Sequence, residues 1–356
     1  MKRMERDPLK FAALENYTAI GRKKGLRLND PQGMETFASV MMESLQGAQA
    51  KPTMLHGKRT EALFAYVAGA LGNCAVIKTE DSGEVFSAGG EIQAPDYRLI
   101  LNDGTRMLVE VKNFRAKDMV KPFKLKIDAF EKLERYAKFD GTELKIAVYF
   151  SSFGRWALLS PKAFVRSDDC LEITMASALA KSEMATLGDV HLATIPDLRL
   201  ELMGNPEEAN PLKGGEAVIT FRSAKMHAGG IALADQACQQ IAFYLMRYGR
   251  WEMTSHAVIE DGKLQGVVLT SSAENLSEGQ PFVFIGELSS MISAAFAEHT
   301  VEDGKVSALD IDLDPDAFSP GIPKDLKGLE LPLWAFIMQP NYDFEDNFTA
   351  QFKGRK

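Results

Sequence analysis

Two short apolar runs, Tyr97–Leu101 and Met107–Val111, alternate with polar residues at period two around Asn102-Asp103-Gly104. That is the pattern of a β-hairpin. A two-residue loop, Asp103-Gly104, pairs Leu101 with Arg106 and Tyr97 with Glu110. A three-residue loop pairs Leu101 with Thr105 and Asp96 with Glu110, and puts Gly104 where a left-handed residue is needed. Only the second places Tyr97, Leu99 and Leu101 on one face with Met107, Val109 and Val111. A one-residue slip moves a whole apolar set to the wrong side. The three-residue loop is therefore expected, with Asp96 across from Glu110 and with Lys112 on the same face.

The same patterning predicts the surrounding elements. Helices are expected at Phe11–Ile20, Met34–Leu45 and Thr60–Leu71, with a basic turn at Gly21–Gly25. A strand at Ala75–Thr79 precedes the hairpin. A helix at Lys124–Phe139 follows it, carrying Ile127, Phe130, Leu133 and Ala137 at helical spacing. Strands at Leu144–Phe150 and Trp156–Leu159 come next, then a helix at Met175–Thr186. Gly204-Asn205-Pro206 through Gly214-Gly215 reads as a linker. Beyond it are strands at Ala217–Phe221, Ala257–Ile259, Gly266–Leu269, Phe282–Ile285 and Val306–Leu313, with helices at Leu233–Tyr248 and Leu288–Ala297. Three units follow: a helical segment 1–50, an α/β unit 51–205 and an α+β unit 206–356.

Composition narrows the function classes. The 356 residues are 46% hydrophobic and 25% charged, as in ordinary globular proteins. No apolar run approaches a membrane span, and no signal-type stretch follows the charged start, so a cytoplasmic location is expected. Cys74, Cys170 and Cys238 are far apart, and the five histidines are scattered, which leaves disulfide frameworks and zinc sites without support. The net charge of −8 is unevenly spread. Residues 206–356 hold 12 basic and 22 acidic residues, whereas residues 1–205 are slightly basic. Lys112, Arg115, Lys117, Lys121, Lys124 and Lys126 face only Asp118 within 112–126. A basic patch beside paired carboxylates fits a phosphate backbone. Asp310, Asp312, Asp314 and Asp316 lack the glycine and terminal glutamate of a calcium loop and are expected on an acidic strand face.

A helix bearing Glu61, a strand, Pro95-Asp96, Glu110-Val111-Lys112 on the next strand, then a helix and strands make an ordered set. That set resembles the PD-(D/E)XK nuclease superfamily over roughly residues 55–165. The resemblance implies a restriction-endonuclease-like αβββαβ core and a Mg²⁺- or Mn²⁺-dependent phosphodiester hydrolase. Asp96 and Glu110, with the Val111 carbonyl, would hold the metal, a hard cation that prefers oxygen. Lys112 would position or deprotonate water, and Glu61 would support the metal or Lys112. Lys58, Arg59, Arg115, Lys117, Lys121, Lys124 and Lys126 would contact nucleic acid, more readily DNA than RNA. A restriction or phage-defence role is an analogy from the superfamily. A non-catalytic nucleic-acid-binding module of the same fold, or an RNase, stays open. Residues 206–356 would serve regulation, homodimer formation or binding of a protein partner.

Overall fold

The computed structural model describes residues 1–4, 12–81, 85–208, 211, 214–273, 278–322 and 330–346. Three helices open it: α1 (Ala13–Lys24), α2 (Pro31–Gln49) and α3 (Pro52–Ala70). Phe11, the expected start of the first helix, lies outside the described residues. The basic stretch expected as a turn is the last turn of α1, and only Gly25, at φ 74°, leaves the helix. α2 starts at a proline behind Asp30, whose side chain accepts from the Gln32 amide. α3 likewise begins at Pro52, eight residues before the expected Thr60. Lys58 and Arg59 therefore sit inside the helix rather than at its start.

The central sheet runs β1 (Cys74–Thr79), β2 (Tyr97–Leu101), β3 (Arg106–Phe114), β5 (Glu143–Phe150) and β6 (Arg155–Leu159). Only β3 and β5 are parallel. Their crossover holds β4 (Phe123–Lys126) and α4 (Ile127–Asp140). A helix had been expected from Lys124. Instead Phe123 and Leu125 point inward while Lys124 and Lys126 point out. That period-two pattern pairs with β8 (Cys170–Ile173), itself joined to β7 (Val165–Arg166).

Helices cover both faces of this sheet. α3 brings Leu63, Phe64 and Val67 against Tyr97, Leu99, Val109 and Val111. α4 brings Phe130, Leu133 and Ala137 against Leu108, Ile146 and Val148. β3 is consequently buried along most of its length, as a parallel strand with two covered faces should be.

The remaining chain forms α5 (Met175–Ala180), β9 (His191–Thr194), β10 (Leu198–Gly204), β11 (Phe221–Ala228), β12 (Ile231–Ala232), α6 (Gln236–Tyr248), β13 (Glu252–Glu260), β14 (Lys263–Ser272), β15 (Val283–Glu287), α7 (Leu288–Thr300), β16 (Val301–Glu302), β17 (Lys305–Val306) and β18 (Leu333–Phe336). One sheet is ordered β12-β11-β10-β14-β13 and another β15-β9-β18. Strand pairing thus crosses residue 205, because β9 and β10 bond to strands after it. One apolar cluster runs from Leu63 to Leu331, and Trp156 Nε1 donates to Ser293 Oγ of α7 at 2.9 Å.

Two expected strands differ. Of Ala217–Phe221 only Phe221 is in a strand, the first residue of β11. Of Val306–Leu313 only Val306 is, because the aspartates that follow take polar partners instead of a ladder. Asp310 accepts from Tyr66 Oη at 2.8 Å and from Arg3 Nη2 at 2.7 Å. Asp314 accepts from the Arg3 amide at 2.9 Å. Cys74, Cys170 and Cys238 are free thiols, the first and last of them buried.

Candidate functional site

The hairpin has the three-residue loop. The Leu101 amide donates to the Thr105 carbonyl at 2.8 Å and the Gly104 amide to the Leu101 carbonyl at 3.0 Å. Gly104 adopts φ 86°, and Asp103 Oδ1 closes the turn on the Thr105 amide at 2.8 Å. Tyr97 pairs with Val109 and Ile100 with Arg106. One step beyond Tyr97, the same register sets Asp96 opposite Glu110.

Both carboxylates are deep, with Asp96 9% and Glu110 2% exposed. Asp96 Oδ2 accepts from the Val111 amide at 2.7 Å. Glu110 Oε1 is ion-paired with Lys112 Nζ. Glu110 Oε2 is buried with no hydrogen-bond partner among the described residues. Burial pushes the Asp96 pKa up and the charge of Glu110 adds to it, while the Val111 amide opposes the rise. Burial likewise pushes Glu110 up, with Lys112 opposing. Lys112 offsets only part of the burial and mutual repulsion of the two acids, so a further positive charge there would favour ionising both.

α3 supplies the third carboxylate. Tyr97 Oη donates to the Glu61 main-chain carbonyl at 3.1 Å, which fixes the helix against β2. Glu61 Oε2 meets Lys58 Nζ at 2.6 Å, and its charge acts on both Asp96 and Glu110. Asp81, just past β1, also acts on Glu110 and on Lys58. It arrives there because β1 pairs with β2 at Thr79 and Tyr97, and the Glu80 amide then donates to the Asp96 carbonyl at 2.9 Å. No sequence signal marks it without that register.

The basic residues divide. Arg59 is not brought to the site: it is buried, with Nε donating to Thr300 Oγ1 at 2.7 Å and its guanidinium 5.4 Å from the Phe296 ring. Arg115, Lys117 and Lys121 are exposed on the segment leaving β3, and Lys124 and Lys126 line the outer face of β4. Lys124 is tied to Glu172 at 2.6 Å. The other four have no ion pair among the described residues.

Among the described residues, no group of three or more His, Cys, Asp and Glu side chains forms a ready-made metal cage. The donors that fit a divalent cation are the two buried carboxylates, one with an unpartnered oxygen. Solvent and a main-chain carbonyl such as that of Val111 would complete the shell. This is the hard-oxygen, water-rich arrangement that Mg²⁺ or Mn²⁺ accepts.

No family model and no curated protein matches the chain. Among solved structures, it is similar to a Holliday junction resolvase from the archaeal hyperthermophile Archaeoglobus fulgidus. The identity is 20%, over 32% of this chain and 84% of that one, with a TM-score of 0.26. A superposition that loose carries no argument about fold or activity. Among the described residues no helix is long and apolar enough to cross a membrane.

Proposed function

We propose that this protein is a divalent-metal-dependent nuclease acting on DNA, with its active site at Asp96, Glu110 and Lys112. The observation that carries the reading is Glu110 Oε2, which has no hydrogen-bond partner among the described residues and is buried beside a second carboxylate, two residues from a lysine that reaches solvent. Burying an unmet charged oxygen is costly, so such an atom points to a missing partner. Here that partner is a cation.

The chain's own groups then have distinct tasks. Asp96 and Glu110 would hold the metal, and the Val111 amide fixes the Asp96 carboxylate in place. A bound Mg²⁺ or Mn²⁺ would polarise a phosphoryl oxygen and acidify water. Lys112 Nζ sits on Glu110 Oε1, beside the oxygen that would take the cation, and from there its ammonium would orient the attacking water or balance charge on the phosphate. Glu61 holds Lys58 near the same carboxylates, where the Lys58 ammonium would anchor a phosphate and the Glu61 charge would support the metal. Arg115, Lys117, Lys121 and Lys126 would track the backbone on either side. Residues 206–356, with their net negative charge, serve regulation or assembly rather than DNA contact.

The test incubates wild type, Asp96→Ala and Lys112→Ala with plasmid DNA and matched RNA, each in Mg²⁺, Mn²⁺ or EDTA. The expected result is metal-dependent DNA cleavage by wild type alone. Cleavage restricted to RNA replaces the substrate. Nucleic-acid binding without cleavage in any metal assigns the chain to the non-catalytic class.

A further inference from the structure

The three-stranded sheet β15-β9-β18 turns one face to the core. Leu192 and Ile285 on that side are fully buried, and Val283 and Leu333 pack beside them. The other face is aromatic. Phe284 of β15 and Trp334 of β18 both pair with Ala193 of β9, so the three side chains share that face. Phe282 and Phe336 complete a set of four rings, with 5.1 Å between Phe282 and Trp334 and 4.9 Å between Phe284 and Phe336. The rings meet over Ala193, which is fully buried, while Phe284 remains 50% exposed.

One rung along, the same face becomes polar. Glu287 and Phe336 both pair with His191, whose Nε2 meets Glu287 Oε1 at 3.0 Å and whose Nδ1 is left for a ligand. Arg155 is ion-paired with the same carboxylate. Arg250 lies along the outer edge of β15. Its amide donates to the Ile285 carbonyl and its Nη2 to the Phe153 carbonyl, each at 2.7 Å. Its methylenes run where a side chain on Gly286 would begin. Arg250 has no acid partner among the described residues.

We propose that this face binds a nucleotide, with the base stacked on Phe284 and Phe336, its polar edge on His191 and Glu287, and its phosphate on Arg250. The ring set and its rim select that ligand class together. Aromatic rings on a rigid sheet offer a π face to a base, and such stacking accepts any base. The neighbouring carboxylate and imidazole nitrogen are acceptors that match the amino and imino donors of a base edge. A guanidinium held only by a neutral carbonyl is a ready partner for phosphate oxygens. An acyl chain or a wholly apolar peptide would cover His191, Glu287 and Arg250 without meeting them, which is costly. A duplex keeps its bases stacked on one another, so the ligand is a free nucleotide or an unpaired position in a strand. The site stands apart from the carboxylates proposed to hold metal, yet it is tied to their strand through the β5–β6 turn. Ser290 Oγ of α7 donates to the Gly154 carbonyl at 2.7 Å. The Ser151 amide donates to the carbonyl of Phe114, two residues past Lys112, at 3.1 Å.

Calorimetric titration of the full chain in EDTA reads binding alone, so its outcome is independent of any metal-dependent cleavage. The ligands are AMP, GMP, CMP, UMP and a short oligothymidylate, with inorganic phosphate and ribose 5-phosphate as controls. At least one mononucleotide, or the oligothymidylate, is expected to bind and to quench the fluorescence of Trp334, and the two controls are not. Phe284→Leu keeps an apolar side chain without a ring and should weaken binding about tenfold, as should Arg250→Gln, both with unchanged circular dichroism. Trp334→Phe should abolish the quench and keep the heat of binding. Mononucleotide binding identifies a free ligand, and binding of oligothymidylate alone, lost in the same variants, identifies an unpaired strand; either supports the proposal. Should Phe284→Leu fail to fold, the exposed Arg250→Gln decides. Absence of binding by every nucleotide and by oligothymidylate at millimolar concentration overturns the proposal and leaves the rings to a protein partner. So does binding unchanged in Arg250→Gln and Phe284→Leu, or inorganic phosphate that binds as well as the nucleotides.

Discussion

Replacing Glu110 by glutamine keeps the shape of a buried side chain and removes its charge. In the wild type, one carboxylate oxygen has no partner among the described residues and the group is 2% exposed. Leaving such a group unmet costs about 1–3 kcal/mol. Because burial raises its pKa, the folded state holds the proton more tightly than the unfolded chain does, where the value is about 4.3. Its favourable contribution is therefore complete below the unfolded value and is lost as pH rises through the folded one. At pH 8 in EDTA, Glu110→Gln should be more stable than wild type by about 1–2 kcal/mol, a rise of roughly 2–4 °C in melting midpoint. At pH 5 the two should converge. Mg²⁺ at ten times its dissociation constant should add about 1.4 kcal/mol to wild type and nothing to the variant. Urea titration at both pH values, with Mg²⁺ or EDTA, reads all of these. A variant that is weaker than wild type at pH 8 in EDTA, or that gains equally from Mg²⁺, refutes the view of Glu110 as an acid waiting for a cation.

Gly104→Ala meets nothing within 4 Å but must hold φ 86°, so it should cost about 1–2 kcal/mol in urea unfolding. Lys117→Ser with Lys121→Ser should weaken DNA binding and reduce the slope of log affinity against log salt by about 2, measured by fluorescence anisotropy. Arg98 binds Glu80 at 2.9 Å and Asp140 at 2.7 Å, and its hydrogen bonds hold Glu80 down at about 2. That stabilising contribution is present above the unfolded pKa of glutamate and fades as pH falls toward 2. Arg98→Ala should accordingly cost about 2 kcal/mol at pH 7, with less cost at pH 3, by chemical denaturation.

The hairpin register was legible because an alternating strand has only two ways to face a core, and the apolar set of Tyr97, Leu99, Leu101, Met107, Val109 and Val111 allowed one. All six are buried. The first turns of α3 were missed because their residues, such as Met54 and Lys58, bury little, so apolar periodicity begins only near Thr60. β4 was hidden for a related reason: four residues of period two look like the edge of the helix they precede. Asp81 and the inward turn of Arg59 depend on contacts between elements distant in sequence, which patterning along the chain does not encode. The pairing of β9 and β10 with strands beyond residue 205 is of the same kind, since a glycine- and proline-rich stretch reads identically as a linker or as a loop within one sheet system.

β2 pairs with β3 only as far as Val109, yet β3 runs on to Phe114 and stays bonded to β5 there. Residues 110–114 of β3 thus have a partner strand on one side and, among the described residues, none on the other. Such an edge invites another strand to add to the sheet. Asp96 takes the Val111 amide that an added strand would use, and Lys112 charges the approach. The groups proposed to hold the metal and to face the phosphate are then also those that guard this stretch of strand. Apolar replacements at Asp96 and Lys112 would carry a second penalty unrelated to catalysis: intermolecular strand addition, and with it loss of soluble protein.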